Sequence, residues 1–191
     1  AYELGYHFMS HVGDPKVWFE ADKPYADRAT YGTFASQFPL LDDMLAEFPD
    51  RLHLGAHMGG SLEDLEALRQ RLDRFPHYVI DSSATKWMVR AVAETAARGE
   101  WDKMREFFIQ YQDRILFGSD LVVNERFDWE HYASRYWVHQ KLWETDYRGE
   151  SPIEDPDGVQ PPPLVGLDLP VEVLRKMYGE NALRWLPREN S

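Results

Sequence analysis

The stretch that decides the fold is "RLHLGAHMGG", residues 51–60. Its apolar residues alternate with polar residues or glycine, which is the period-2 pattern of an extended strand. We therefore predict a strand over residues 52–57 that ends in His57, just before the glycine pair at positions 59 and 60. A histidine at the end of a strand has two interpretations: a packed structural group, or a member of an active site.

Three further segments show the same strand character, and helical patterns follow most of them. The four predicted strands cover residues 6–11, 52–57, 78–83 and 115–120. Apolar residues at steps of three and four predict helices over residues 34–48, 61–75, 85–99, 101–112 and 127–143. This alternation predicts an α/β fold in which parallel strands carry helices on the outside. Because His53 and His57 share the strand face that points away from the helices, a polar inner face is expected, and it favours a barrel over an open sheet.

Local signals set the ends of several elements. Ser61 and Asp64 form a pattern typical of a capping box, and Gly179 is expected to end the last regular helix. The stretch 144–168 is rich in proline, glycine and acidic residues, so it predicts a long surface loop, with packing of the loop along the body of the protein as the alternative. The first four residues are typical of the last turn of a helix that stops at Gly5. The chain is therefore expected to be the C-terminal part of a longer protein.

Composition bounds the function classes. The chain has 191 residues, 43% of them hydrophobic, a net charge of −12 and no cysteine. Its length and apolar content predict one domain over residues 1–191 with a sizeable core. The acidic balance disfavours nucleic acid and anionic membranes as partners, and a cytoplasmic location is the default expectation. The lack of cysteine excludes thiolate chemistry and leaves histidine and the carboxylates as candidate metal ligands.

Three of the four predicted strands end in a group that binds metal ions or transfers protons: His11, His57 and Asp120. Their spacing matches strand–helix units of a barrel, in which reactive groups gather at the C-terminal ends of the strands. Imidazole suits zinc and similar ions, and a carboxylate serves as a ligand or a base. Each residue alone is more often structural, since a strand-end histidine commonly forms a hydrogen bond and "GSD" is also typical of a turn or a helix N-cap. Together they predict a metal-dependent site.

The segments "SHVGDP", "GAHMGG", "YVIDSSA", "ILFGSD" and "LRKMYGENALRWL", in this order, resemble the C-terminal half of the amidohydrolase-related family. Members are metal-dependent hydrolases and decarboxylases on a (β/α)8 TIM barrel, so the resemblance implies that the four strands are the fifth to eighth of such a barrel. It also implies that His11 is a metal ligand, that His57 acts on metal-bound water or substrate, and that Asp120 is a metal ligand or proton-transfer group. The implied cofactor is a divalent metal ion, preferably zinc, and the implied substrate is a small carboxylate-bearing molecule.

One feature of that family is absent from the sequence. The family has a His-x-His pair at the end of its first strand, whereas no two of the seven histidines here are separated by one residue. The metal site is thus half built, so a full-length relative is expected to be an enzyme, while the activity of these 191 residues alone stays open. The alternative hypothesis is a non-catalytic half-barrel fragment that is stabilised by self-association as a homo-oligomer, because a half-barrel exposes strand edges.

Other candidates have mainly structural interpretations. His53 is predicted to be a buried polar or pocket-wall residue, and the histidines of the 127–143 helix are expected to be surface or satisfied core groups. Asp14 is expected to cap the loop after the first strand, with orientation of the neighbouring histidine ring as the alternative. Arg126 and Arg148 are expected on the solvated surface, with substrate carboxylate binding as the alternative. Core packing is preferred over a pocket lining for four aromatic residues: Trp18, Phe19, Trp87 and Trp101.

Overall fold

Residues 2–186 are described by the computed structural model, and they fall into two units. The first unit extends to Asp81, and the second begins at Ser82. The ends of the predicted domain, residue 1 and residues 187–191, lie outside the described residues. Among the described helices, none combines the length and the apolar character that a membrane crossing requires.

Three parallel strands form the sheet of the first unit. They are β1 (Phe8–Ser10), β2 (His53–Gly55) and β3 (Tyr78–Asp81), with β2 in the middle. His53 pairs with Phe8 on one side and with Tyr78 on the other, so the strands begin in register. Their C-terminal ends therefore lie at the same edge of the sheet. The predicted parallel α/β arrangement is confirmed, although each strand is shorter than predicted, and His57 lies in the turn after β2.

Helical segments connect these strands, as parallel pairing requires. Between β1 and β3, short 3-10 segments span Lys16–Phe19 and Phe34–Gln37, and α-helices span Arg28–Tyr31, Pro39–Glu47 and Leu65–Arg74. A further 3-10 segment, Tyr2–Leu4, precedes β1. The predicted helix over residues 34–48 is thus divided, and its α-helical part begins at Pro39, where proline fits the first turn. The core of this unit contains Met58, Leu62, Leu68, Leu72, Tyr78 and Ile80, all of which are almost fully buried.

The predicted capping box at Ser61 is wrong. The helix begins at Leu65, and the Asp64 carboxylate accepts a hydrogen bond of 3.1 Å from the Ala67 N–H, so Asp64 is the N-cap. The buried Ser61 hydroxyl instead donates to the Gly59 carbonyl at 3.1 Å. Ser61 therefore belongs to the turn after β2 and lies outside the helix.

The second unit consists mainly of helices. The helices predicted over 85–99, 101–112 and 127–143 are confirmed as Thr85–Ala97, Trp101–Gln110 and Trp129–Glu144. The predicted strand over 115–120 is reduced to β4 (Ile115–Leu116), whose Leu116 carbonyl accepts a 2.9 Å hydrogen bond from the Ser82 N–H. Large side chains fill the core between the helices: Met88, Phe107, Phe108, Leu142 and Trp143.

The stretch 144–168 differs from the predicted surface loop. It contains an antiparallel hairpin formed by β5 (Arg148–Glu150) and β6 (Pro163–Val165). Leu164 and Leu167 are fully buried, and the Trp101 indole N–H donates to the Gly166 carbonyl at 3.0 Å. Burial of the two leucines and the hydrogen bond from Trp101 hold this segment in place, although its proline and acidic residues predict irregular structure.

The C-terminal helical region continues past Gly179, so the predicted stop there is wrong. Val171–Arg175, a π-helical turn over Lys176–Glu180, and Asn181–Trp185 follow one another without interruption. The Phe117 N–H donates to the Met177 carbonyl at 2.8 Å, and the buried Asn181 amide donates to the Ile115 carbonyl at 2.8 Å. These contacts fix the backbone on both sides of Gly179 and override its tendency to end a helix.

Candidate active site

His57 lies in a left-handed turn that follows directly from β2. The backbone torsions are φ 56° and ψ 53° at His57, and φ 55° and ψ 37° at Met58. Gly59 and Gly60 continue the run with φ of 59° and 66°. Left-handed backbone costs a residue with a Cβ roughly 1–2 kcal/mol, and such strain persists only where the surroundings impose it. His57 is therefore held in place by specific contacts.

One of these contacts comes from the neighbouring strand. The His57 backbone N–H donates a hydrogen bond of 2.9 Å to Oδ1 of Asp81, the last residue of β3. The Asp81 side chain is buried, at 5% exposure, so this hydrogen bond forms away from competing water.

The turn also packs directly on the loop after β1. A Cβ at Gly60 would overlap the backbone carbonyl of Val12, and a Cβ at Gly13 would lie 2.8 Å from the Gly60 carbonyl. Gly13 itself has φ of 88°, which favours glycine. The two glycines therefore allow the loops that carry His11 and His57 to approach each other closely.

The structure brings the His11 and His57 rings together, as the strand-end pattern predicts. Their centroids are 4.6 Å apart, and the ring planes are nearly perpendicular, at 86°. His57 is 8% exposed, whereas the His11 side chain is 53% exposed. The pair thus consists of one buried and one accessible imidazole.

Asp14 contacts the accessible histidine. Its Oδ1 lies 3.3 Å from Nε2 of His11, and the short helical segment that follows has no side-chain cap at its start. The expectation that Asp14 caps this loop is wrong, and the alternative, a carboxylate that orients the His11 ring, describes the contact. A proline at position 15 lies at the cap position instead, which leaves the carboxylate available to the ring.

His53 is a buried polar residue, as predicted. It is 1% exposed, and its Nε2 lies 2.7 Å from the Ser10 hydroxyl. Burial lowers the pKa of His53 below its ordinary value, so the ring is neutral at physiological pH. Its Nδ1 has no hydrogen-bond partner among the described residues.

Asp120, the third predicted site residue, lies in the second unit. It is exposed and has φ of 53°, so, like His57, it adopts a left-handed backbone beyond the end of a strand. Its convergence with the histidine pair stays a prediction.

Four of the remaining candidates have structural surroundings or contacts. Phe19 and Trp87 are buried, and Arg148 donates to the Tyr147 and Gly166 carbonyls at 2.9 Å. His139 is a satisfied core group: its Nε2 lies 3.0 Å from the Thr85 hydroxyl, and its Nδ1 accepts from the Trp143 indole. Burial lowers the pKa of His139 to about 4.

The residues at the first-unit site fit part of a metal centre. A zinc ion lies about 2 Å from each ligand nitrogen, and a catalytic zinc site uses three protein ligands. His11 offers an accessible imidazole, but within residues 2–186 no three histidine or carboxylate side chains are grouped so that they could hold one ion. The described residues therefore supply a nitrogen donor and an adjacent imidazole, and no complete ligand set.

Asp81 is the residue that sequence reasoning missed. It lies in "YVIDSSA", a segment for which the sequence predicts no chemical role. A signal was present, because an acidic residue is uncommon at a buried position at the end of an otherwise apolar strand. Its hydrogen bond is accepted from a backbone N–H in the turn after β2, and side-chain patterns along one strand do not reveal such a contact.

Comparison with known proteins gives the following. A family model described as "Amidohydrolase" matches residues 1–188. A search of the curated proteins found no match. Among solved structures, the crystal structure of an amidohydrolase from Burkholderia multivorans with bound HEPES matches with 15% sequence identity and a TM-score of 0.41. The match covers 93% of this chain and 63% of that protein, so this chain spans less than two thirds of its length.

Proposed function

Because the chain belongs to the amidohydrolase family, we propose that it forms the C-terminal half of a (β/α)8 barrel in a metal-dependent enzyme. The reaction is hydrolysis or non-oxidative decarboxylation of a small carboxylate-bearing molecule. The parallel strands of the first unit, with helices between them, support the barrel.

The observation that carries the proposal is the pair of imidazoles. His11 and His57 follow two adjacent parallel strands, and their ring centroids lie 4.6 Å apart. Strand-end groups that converge in this way are the usual catalytic groups of barrel enzymes. The strained backbone of His57 is a second support, since such residues cluster at functional sites.

In this proposal the two histidines have different roles. His11 would hold a divalent ion, Asp120 is proposed as a further ligand, and the ion would supply Lewis-acid activation of a water or of a substrate carbonyl. Asp14 orients the His11 ring through their 3.3 Å contact. A ring nitrogen of His57 accepts the proton of the attacking water, or returns a proton to a carbanion after decarboxylation. The buried position of His57 limits exchange of that proton with bulk solvent.

Metal content of purified variants tests these roles. Equilibrium dialysis against zinc, followed by metal analysis, is expected to show loss of bound zinc in His11→Ala and retention in His57→Ala. His77→Ala is the matched control, because His77 is a partly exposed histidine whose Nδ1 contacts the Pro49 carbonyl. Unchanged zinc content in His11→Ala would remove His11 from the ligand set and contradict the proposal.

A second candidate, a non-catalytic half-barrel stabilised by self-association, is favoured by one observation. Among the described residues β1 has a single neighbouring strand, and its Met9 side chain is 64% exposed. An open strand edge with an apolar side chain is a template for pairing with another chain. Sedimentation tests this candidate: it predicts a dimer that dissociates in Met9→Lys but not in Val159→Lys. Val159 is the control because it is an apolar residue of the second unit that is 74% exposed. A wild-type monomer contradicts it.

A further inference from the structure

We propose that Asp81 is a positioning residue that fixes His57 against His11. This inference rests on the proposed function, because positioning matters for the reaction only if His57 takes part in it. Asp81 and His57 are joined by the 2.9 Å hydrogen bond from the His57 N–H to Asp81 Oδ1. The proposed role of Asp81 acts through this contact to the His57 backbone.

The strained backbone of the turn needs a hydrogen-bond acceptor from outside the turn. His57 and Met58 are two successive residues with a Cβ in left-handed conformation, and each such residue is unfavourable without support from its surroundings. A buried carboxylate accepts a stronger hydrogen bond from an N–H than a neutral acceptor does. Asp81 is therefore suited to hold the first strained residue of the turn, which is the one that carries the imidazole.

The same strand supports the rest of the turn. A Cβ at Gly55 or at Gly59 would overlap the phenol oxygen of Tyr78, so the Tyr78 side chain lies directly under both positions. Tyr78 is fully buried and stands three residues before Asp81 on β3. β3 thus packs beneath the turn through Tyr78 and binds its first residue through Asp81, and together these contacts set where the His57 ring lies.

The structure also predicts which replacements preserve the contact. Asparagine keeps an oxygen acceptor with the shape of aspartate, whereas alanine removes it. Asp81→Asn is therefore expected to retain the position of His57, and Asp81→Ala to lose it. Asp155→Ala is the matched control, because Asp155 is also 5% exposed, lies in the second unit and pairs with Arg90.

Nuclear magnetic resonance on the full chain tests the inference. In the wild type, a scalar coupling across the hydrogen bond is expected between the His57 nitrogen and the Asp81 carboxyl carbon, together with a nuclear Overhauser effect between the two rings. In Asp81→Ala, the ring–ring effect is expected to disappear and exchange of the His57 N–H to accelerate by about tenfold or more. Asp81→Asn and Asp155→Ala are expected to retain the ring–ring effect.

Three results would overturn the inference: absence of the coupling in the wild type, a folded Asp81→Ala variant that keeps the ring–ring effect, or a folded Asp81→Asn variant that loses it. If Asp81→Ala does not fold, the scalar coupling between His57 and Asp81 in the wild type remains as the test of the inference. Zinc binding by wild-type protein is measured separately, and its failure would contradict the proposed function while leaving the positioning of His57 by Asp81 measurable.

Discussion

The imidazoles of His11 and His57 meet edge to face, with centroids 4.6 Å apart and planes at 86°, although 45 residues separate them in the sequence. The residues follow adjacent parallel strands whose loops touch at Gly13 and Gly60. A small ion or polar group bound at one ring would therefore lie close to the other. This relationship is the basis of the proposed catalytic site.

The close approach of the two loops predicts a large penalty at Gly60. Gly60→Ala places a Cβ onto the Val12 carbonyl in a backbone with φ of 66°, so it combines a clash with left-handed strain. We expect a loss of about 3 kcal/mol or more in the free energy of unfolding. Urea denaturation measures it, with Gly99→Ala as the control.

Gly99 has φ of 74°, but no atom lies within 4 Å of its hypothetical Cβ. Its replacement by alanine is expected to cost only the backbone term, about 1–2 kcal/mol. Equal losses for the two variants would show that the loops after β1 and β2 do not pack as described.

The buried His139 predicts a pH dependence of stability. Its pKa in the folded protein is about 4, below the ordinary value near 6.5 in an unfolded chain. Between these values the unfolded state binds the proton and the folded state does not, so stability falls as the pH decreases from about 6.5 towards 4. We expect His139 to contribute a loss of about 2 kcal/mol between pH 7 and pH 5.

His139→Gln isolates this contribution, because glutamine does not titrate. Unfolding measured at pH 7 and pH 5 is expected to show a smaller pH-dependent loss in the variant than in the wild type. An identical loss in both proteins, or a His139 ring that titrates near pH 6.5 in the folded wild type, would contradict the burial of this residue.

The ion pair of Arg90 and Asp155 predicts an asymmetric response to mutation. The Arg90 Nη1 lies 2.8 Å from Asp155 Oδ2, and both side chains are almost completely buried. Asp155→Ala leaves a buried guanidinium without its counter-charge, so we expect a loss of about 3–5 kcal/mol in thermal or denaturant unfolding.

Removing both charges together has a different expected result. The double variant Arg90→Met/Asp155→Leu keeps apolar volume and leaves no unpaired charge, so its stability is expected within about 1–2 kcal/mol of the wild type. A double variant as unstable as Asp155→Ala would indicate that the loss of stability comes from altered packing and not from an unpaired buried charge.

Much of the fold follows from local patterns in the sequence. The alternation around His53 and the spacing of apolar residues predict β2 and the long helices, because burial of one face imposes a fixed period on such an element. β3 is instead indicated by a short apolar run, since all four of its residues are buried. The meeting of His11 and His57 could also be predicted, since parallel strands that begin in register end at the same edge. Both inferences depend only on regular geometry.

The parts that could not be predicted depend on contacts between distant segments. The left-handed turn at His57 requires the Asp81 carboxylate from another strand, and continuation of the helix past Gly179 requires the Asn181 contacts to the backbone near β4. The hairpin of β5 and β6 depends on burial of Leu164. In each case a tertiary contact overrides a local preference that the sequence displays.

The most direct test of the proposed site is a zinc titration of the full chain followed through the ring nitrogens of its histidines. The account predicts that the His11 and His57 resonances change together at the same zinc concentration, with His11 showing the change of a directly bound imidazole, while the buried His139 ring is unaffected. A titration in which His11 does not respond, or responds independently of His57, would contradict the account.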